Sequence, residues 1–191
     1  EFGITREEQD ALALRSHRLA QAATEEGRLP AEIVPVPVAP AYDRVLMADD
    51  GIRAGQSMEA LAQLRPYFDP VAGTITAGNA SQITDGAGAV IIMTESRAKA
   101  LGLQPMGYLR DYSIVALEGE RMGLGPVFAV VKLFDKTGLT LTDFDLVEIN
   151  EAFAAQVLAC DKAMASKTFA AERLGRSKAV GALDWDRVNV N

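Results

Sequence analysis

The sequence predicts an α/β fold of packed layers, because short apolar strands alternate with helix-forming stretches along its second half. Three observations carry this. Ala89-Val90-Ile91-Ile92-Met93 is a continuous apolar run of the kind found in strands covered on both faces. Pro126 and Gly138 bracket a helix, with proline in its first turn and glycine at its end. Leu146-Val147-Glu148-Ile149 forms another short strand and leads into strong helix formers over 152–165.

From the N-terminus, Thr5-Arg6-Glu7-Glu8 is a capping box that opens a helix running towards Glu26, with Gly27 as its stop. Leu12, Ser16, Leu19 and Ala23 recur at helical spacing and predict a narrow face packed closely on another element. Residues 32–38 alternate, but Pro35 and Pro37 lack the amide hydrogen of a central strand, so the segment belongs on an edge or in an extended connection. Turn signals at Pro40, Asp49-Asp50-Gly51, Gly55, Pro66 and Pro70 make 39–76 an excursion around one short helix near 57–64. After the apolar run come a helix over 96–101 closed by Gly102, a strand within 106–115 and a glycine-bearing loop before Pro126. Val188-Asn189-Val190-Asn191 reads as a further strand.

At 191 residues the chain has room for a sizeable core, burying roughly 70% of the surface its unfolded form exposes. Its 49% hydrophobic and 24% charged residues, with a mean hydropathy of +0.07, are those of an ordinary soluble globular protein. No segment approaches the ~18 consecutive apolar residues of a membrane span. A net charge of −7 with scattered basic residues argues against nucleic acid as a partner. One cysteine excludes an internal disulfide, and the N-terminus lacks a basic flank and apolar segment, which fits a reducing cytoplasm.

Asn150 and Glu151 stand at a strand-to-helix junction, where open α/β sheets place ligands and where asparagine also serves as a helix cap. His17 has no nucleophile near it in sequence, which suits a surface or packing role. Cys160, on the helix after Asn150, has the character of a small buried hydrophobe. Arg53 could hold a phosphate in its planar fork or pair with Asp49 and Asp50. Met122-Gly123-Leu124-Gly125-Pro126 is a turn into a helix or a pocket wall. The small residues from Gly78 to Ser81 and from Asp85 to Ala89 allow either close ligand approach or tight strand–helix packing. No histidine pair, Cys/His cluster at metal spacing or Ser-His-Asp set is present, so no metal site is expected.

Taken in order, Gly3-Ile4-Thr5-Arg6-Glu7-Glu8-Gln9-Asp10, Glu32-Ile33-Val34-Pro35, Leu64-Arg65-Pro66, Thr76-Ala77-Gly78-Asn79-Ala80-Ser81, Asp85-Gly86-Ala87, Met122-Gly123-Leu124-Gly125-Pro126 and Asn150-Glu151-Ala152-Phe153-Ala154 resemble the thiolase family over nearly the whole chain. The resemblance implies a thiolase-like fold, layered α-β-α-β-α when complete and incomplete here. It divides the chain into 1–83, part of a loop domain that covers coenzyme A; 84–106, the last strand and helix of the N-terminal core domain; and 107–191, the first half of the C-terminal core domain.

The implied activity is that of an acyl-CoA acyltransferase of fatty acid metabolism. It would cleave 3-ketoacyl-CoA thiolytically, or condense acetyl-CoA in the reverse direction, through an acyl-cysteine intermediate. Asn150 is the implied catalytic residue, holding a water that stabilises charge on the thioester oxygen. Arg53 would lie near the nucleotide end of coenzyme A and Ser81 near its pantetheine arm. Phe68, Ala77, Met122 and Phe153 would line an apolar tunnel. No cofactor is implied beyond the coenzyme A thioester substrates, and the expected assembly is a homodimer or homotetramer. By the same likeness the nucleophilic cysteine lies upstream of Glu1, and the Gly-His-Pro histidine and second cysteine lie beyond Asn191. The chain alone is therefore expected to be inactive. Two other readings stand beside this one: a thiolase-like protein that binds acyl-CoA or lipid without catalysis, and a structural half that pairs with a chain supplying the nucleophile.

Overall fold

The computed structural model describes residues 1–190. Helix α1 (Arg6–Glu25) starts at the predicted box, where the Glu8 amide donates to Thr5 Oγ1 at 3.2 Å and the Thr5 amide donates to a Glu8 carboxylate oxygen at 2.7 Å. Two orphan amides are thus satisfied reciprocally. The buried face of α1 is wider than the predicted stripe. Leu12 and Ala23 are buried, Ser16 and Leu19 are half-buried, and Ala13, Leu14, Gln9 and Asp10 are buried as well. This helix packs on two sides, against α2 (Met58–Ala62) and against α5 (Ala154–Ala165), so a single apolar stripe could not describe it.

Residues 32–38 behave as their prolines require. Val36–Pro37 (β1) and Val45–Leu46 (β2) form a two-residue antiparallel ladder, exposed along its length. Ser57 caps α2 by accepting from the Ala60 amide at 3.1 Å. Helix α3 (Glu95–Ala100) is capped by Thr94 and ends before Gly102, whose φ of 68° is the left-handed conformation that glycine adopts without strain.

The apolar run 89–93 departs from expectation. It forms no strand and pairs with no other segment among the described residues, and Val90, Ile91 and Ile92 are 84%, 89% and 80% exposed. A strand buried on both faces needs neighbours on its edges and a layer above and below; residues 1–190 supply none. The strand expected within 106–115 also lacks a ladder. Its alternation survives nonetheless, with Asp111, Ser113 and Val115 half-buried between exposed neighbours. Ser113 Oγ donates to the Ala129 carbonyl at 2.7 Å, Lys132 Nζ donates to the Ile114 carbonyl at 2.8 Å, and Lys136 pairs with Asp111. These contacts lay the segment along α4 (Gly125–Thr137).

Helix α4 has Pro126 in its first turn and ends at Gly138, where φ is 75° and the amide donates to the Phe134 carbonyl at 2.8 Å. The main core lies between α4, α5 and α6 (Lys167–Arg173), built from Leu124, Val127, Cys160, Ala163, Met164 and Phe169, and closed by Leu183 and Val188. Val147 and Val188 form one parallel bridge, which joins the two predicted terminal-half strands at a single point. Asn191, the last residue of the second strand as predicted, lies outside the described residues. A smaller cluster of Leu12, Ala154 and Val157 ties α1 to this core. No helix among the described residues is long and apolar enough to cross a membrane.

Candidate functional site

The site is built on a buried polar junction. Asn79 and Asp10 are 3% and 2% exposed, and Asn79 Nδ2 donates to Asp10 Oδ1 at 2.9 Å and to the Thr74 carbonyl at 3.1 Å. Its Oδ1 accepts the Thr76 amide at 2.8 Å. Three of the amide's hydrogen-bonding positions are therefore used, which meets the requirement that buried polar groups be satisfied. Asp10 is held from the other side by Arg6 Nε at 2.7 Å, and Arg6 Nη2 also donates to the Leu61 and Leu64 carbonyls at 2.5 and 3.1 Å. The main chain of the same loop crosses to the residues before α5: the Ala154 amide donates to the Asn79 carbonyl at 3.0 Å and the Ser81 amide to the Ala152 carbonyl at 2.8 Å. One asparagine thus fixes α1, the 74–81 loop and the approach to α5 together.

Gly78 shows how tightly the loop is seated. A Cβ at this position would lie 2.5 Å from both Leu61 Cδ2 and Leu64 Cδ1, and Leu61 is fully buried and cannot swing away. Gly78→Ala is expected to lower stability by about 1–3 kcal/mol through overpacking. A urea-denaturation midpoint equal to that of the parent would contradict the close approach.

Between this loop, α1 and the segment 53–56 lies a cavity of about 870 Å³. Leu12, Ala13, Ala77 and Ala154 contribute apolar wall, and Ser16, His17, Arg53, Ser81, Asn150 and Glu151 contribute polar groups. Four of the seven residues implied by the family resemblance, Arg53, Ala77, Ser81 and Asn150, therefore share one cavity. Arg53 does not pair with either aspartate carboxylate among the described residues; its Nη1 donates to the Asp50 carbonyl at 2.8 Å, which leaves the guanidinium exposed on the wall. Nor does Asn150 cap a helix. Helix α5 begins at Ala154 with Phe153 at its cap position and no side-chain cap bond, so Asn150 stands ahead of it, exposed, with no hydrogen bond to its amide among the described residues.

Phe68 and Phe153 meet edge to face, with ring centroids 6.3 Å apart, outside the lining of this cavity. Met122 stands separately on the 3₁₀ turn Gly119–Leu124 and is 72% exposed. Next to it, Gln156 Cγ comes within 3.0 Å of where a Gly123 Cβ would sit. Cys160 is buried in the main core, donates to the Gly123 carbonyl at 3.2 Å, and has its thiol pushed up to about 11 by burial. That is the inert pattern of a structural cysteine, as its sequence context suggests. No group of three or more His, Cys, Asp or Glu residues close enough to hold a metal occurs among the described residues.

Several residues of the site had no signal in the sequence. His17, which reads as a surface or packing residue, lines the cavity, where its Nδ1 accepts the Arg53 amide at 3.3 Å. Asn189 clamps the strand before the site: its Oδ1 accepts the Ile149 amide at 2.7 Å, and its Nδ2 donates to the Ile149 carbonyl and to Glu151, each at 2.8 Å. Arg15 reaches from α1 to the Trp185 and Val188 carbonyls at 2.9 and 2.7 Å. Every one of these bonds spans a long sequence separation, and local pattern does not report such pairings.

The fold agrees with comparison to known proteins. The thiolase N-terminal domain model matches residues 1–96 and the thiolase C-terminal domain model matches 103–191. This chain belongs to the thiolase family. It is 47% identical to a 3-ketoacyl-CoA thiolase of Yersinia pestis (strain Pestoides F) over 190 residues, covering 99% of the chain and 43% of that relative. The dimeric peroxisomal thiolase of Saccharomyces cerevisiae superposes with a TM-score of 0.82 at 36% identity, over 99% of this chain and 43% of that one. An acetyl-CoA acetyltransferase of Bacillus anthracis superposes at 0.81 with 40% identity, over 98% and 43%. The fold is accordingly the thiolase-like α/β fold, and this thiolase segment spans less than half the length of the relatives it matches.

Proposed function

We propose that this chain supplies the coenzyme A-covering wall and one oxyanion-stabilising residue of an acyl-CoA acyltransferase. The reaction is thiolytic cleavage of 3-ketoacyl-CoA or its reversal by Claisen condensation. The observation that carries this reading is the convergence of Arg53, Ala77, Ser81 and Asn150, from three separate stretches of sequence, on one cavity. A fixed positive charge, a hydroxyl, an amide and apolar wall match the charged, polar and methylene-bearing parts of coenzyme A. In this reading the acyl-accepting cysteine lies outside this chain, which is supported by the burial of Cys160 and by its thiol being pushed up to about 11. In the same reading 1–83 belongs to the loop domain, 84–106 and 107–191 belong to the two core domains, Phe68, Met122 and Phe153 flank the acyl path, and the assembly is a cytoplasmic homodimer or homotetramer.

Calorimetric titration of the chain with coenzyme A tests the reading. Binding is expected, and Arg53→Ala is expected to weaken it about fivefold, the effect of one solvent-exposed charge contact. A titration unaltered by the substitution would reject the role of Arg53.

A further inference from the structure

We propose that His17 is a positioning residue for the ligand-binding segment 53–56, which its neutral imidazole clasps by accepting the Arg53 backbone amide. The inference rests on the reading of the cavity as a coenzyme A site. Its geometric basis is that both partners line the same cavity and that Arg53 N lies 3.3 Å from His17 Nδ1. With Nδ1 accepting, the ring proton resides on Nε2, which fixes the tautomer. A protonated ring carries hydrogen on both nitrogens and has no lone pair for the amide, so the clasp exists only in the neutral form.

The surroundings hold His17 in that form. Its pKa lies below the ordinary 6.5, first because of partial burial and second because of the positive charge of Arg53, with Glu151 opposing. Arg53 on the clasped segment and Glu151 ahead of α5 are the charged groups that act on it from the elements packed around it. The sign follows directly. A histidine whose pKa is lowered on folding makes its contribution above the unfolded value, and that contribution is lost as pH falls through the folded value. The clasp is therefore closed at neutral pH and released on acidification, when the new imidazolium would also face the Arg53 guanidinium.

His17 is the only histidine of the chain, so its imidazole protons can be followed singly by NMR while the Arg53 amide is followed in a ¹⁵N-labelled sample without ligand. The Arg53 amide shift is expected to titrate in step with the imidazole, and in H17A to lose that step. An Arg53 amide that ignores the imidazole titration would overturn the clasp whether or not coenzyme A binds. Affinity is the second readout. H17N keeps an acceptor near the Nδ1 position but does not titrate, and the ligand's own phosphate ionisation affects both proteins equally. Relative to H17N, the parent is expected to lose about three- to tenfold in coenzyme A affinity on acidification below the His17 pKa, the worth of one hydrogen bond. H17A is expected to bind as weakly at neutral pH as the acidified parent. Parallel pH profiles for the parent and H17N would reject the positioning role and leave the coenzyme A reading standing; absence of binding at every pH would reject that reading, with the amide titration still deciding the clasp.

Discussion

Asn79→Asp, a change of almost no volume, is expected to cost about 3–5 kcal/mol of stability at neutral pH, the range for an uncompensated buried charge. The substitution turns a donor that sits 2.9 Å from Asp10 and 3.1 Å from the Thr74 carbonyl into an acceptor facing two acceptors. Arg6 cannot neutralise both carboxylates, because its Nε is engaged by Asp10 and its Nη2 by the Leu61 and Leu64 carbonyls. Repulsion and burial both raise the pKa of the introduced carboxyl above the ordinary value of about 3.9. The sign is therefore that of a raised folded pKa: the variant approaches the parent at a pH below the unfolded value and loses stability as pH rises through the folded one. Urea denaturation across this range checks it. Asn79→Ala removes the same bonds without adding a charge, and its loss of about 2–3 kcal/mol should not depend on pH in this way. A pH-independent loss in both variants would reject the charge argument.

Local chemistry makes much of the chain legible from its residues alone. Thr5 with Glu8, Ser57, Pro126 and Gly138 each begin or end the helix that their side chains or backbone preferences favour. These are interactions within one turn, and sequence spacing encodes them fully. The apolar run at 89–93 is strand-like in character, yet strand formation depends on partners, and the described residues offer none. A sheet is a relation between segments; the chain's 43% share of its relatives' length leaves room for the missing ones. The site divides along the same line. Ala77, Ser81 and Asn150 lie within the quoted family motifs, and Arg53, outside them, comes from the same resemblance; all four line the cavity. Asp10, Arg15, His17 and Asn189 work through partners far away in sequence, and for three of them even the residue type suggests nothing beyond a surface or a helix face.

Within a full-length thiolase that carries this segment, Asn150→Ala is expected to lower kcat about a hundred- to a thousandfold, the usual loss on removing one oxyanion-stabilising donor. The residues on both sides of Asn150 are tied down: Asn189 holds the Ile149 main chain and the Glu151 carboxylate, and the Ala152 carbonyl accepts the Ser81 amide at 2.8 Å. Its own side chain alone is left without a hydrogen bond among the described residues, on the wall of the cavity. Such a group is pre-organised by its neighbours and available to a water or to substrate, so no reorganisation is required when charge develops on the thioester oxygen. The truncation leaves the Asn189 clamp and the 74–81 loop untouched, and Arg53 and Ser81 should hold coenzyme A as before. Steady-state kinetics should consequently show kcat and kcat/KM falling together with KM nearly constant, the signature of an interaction made in the transition state. A raised KM with unchanged kcat would instead make Asn150 a ground-state binding residue, and unchanged values of both would remove it from the mechanism.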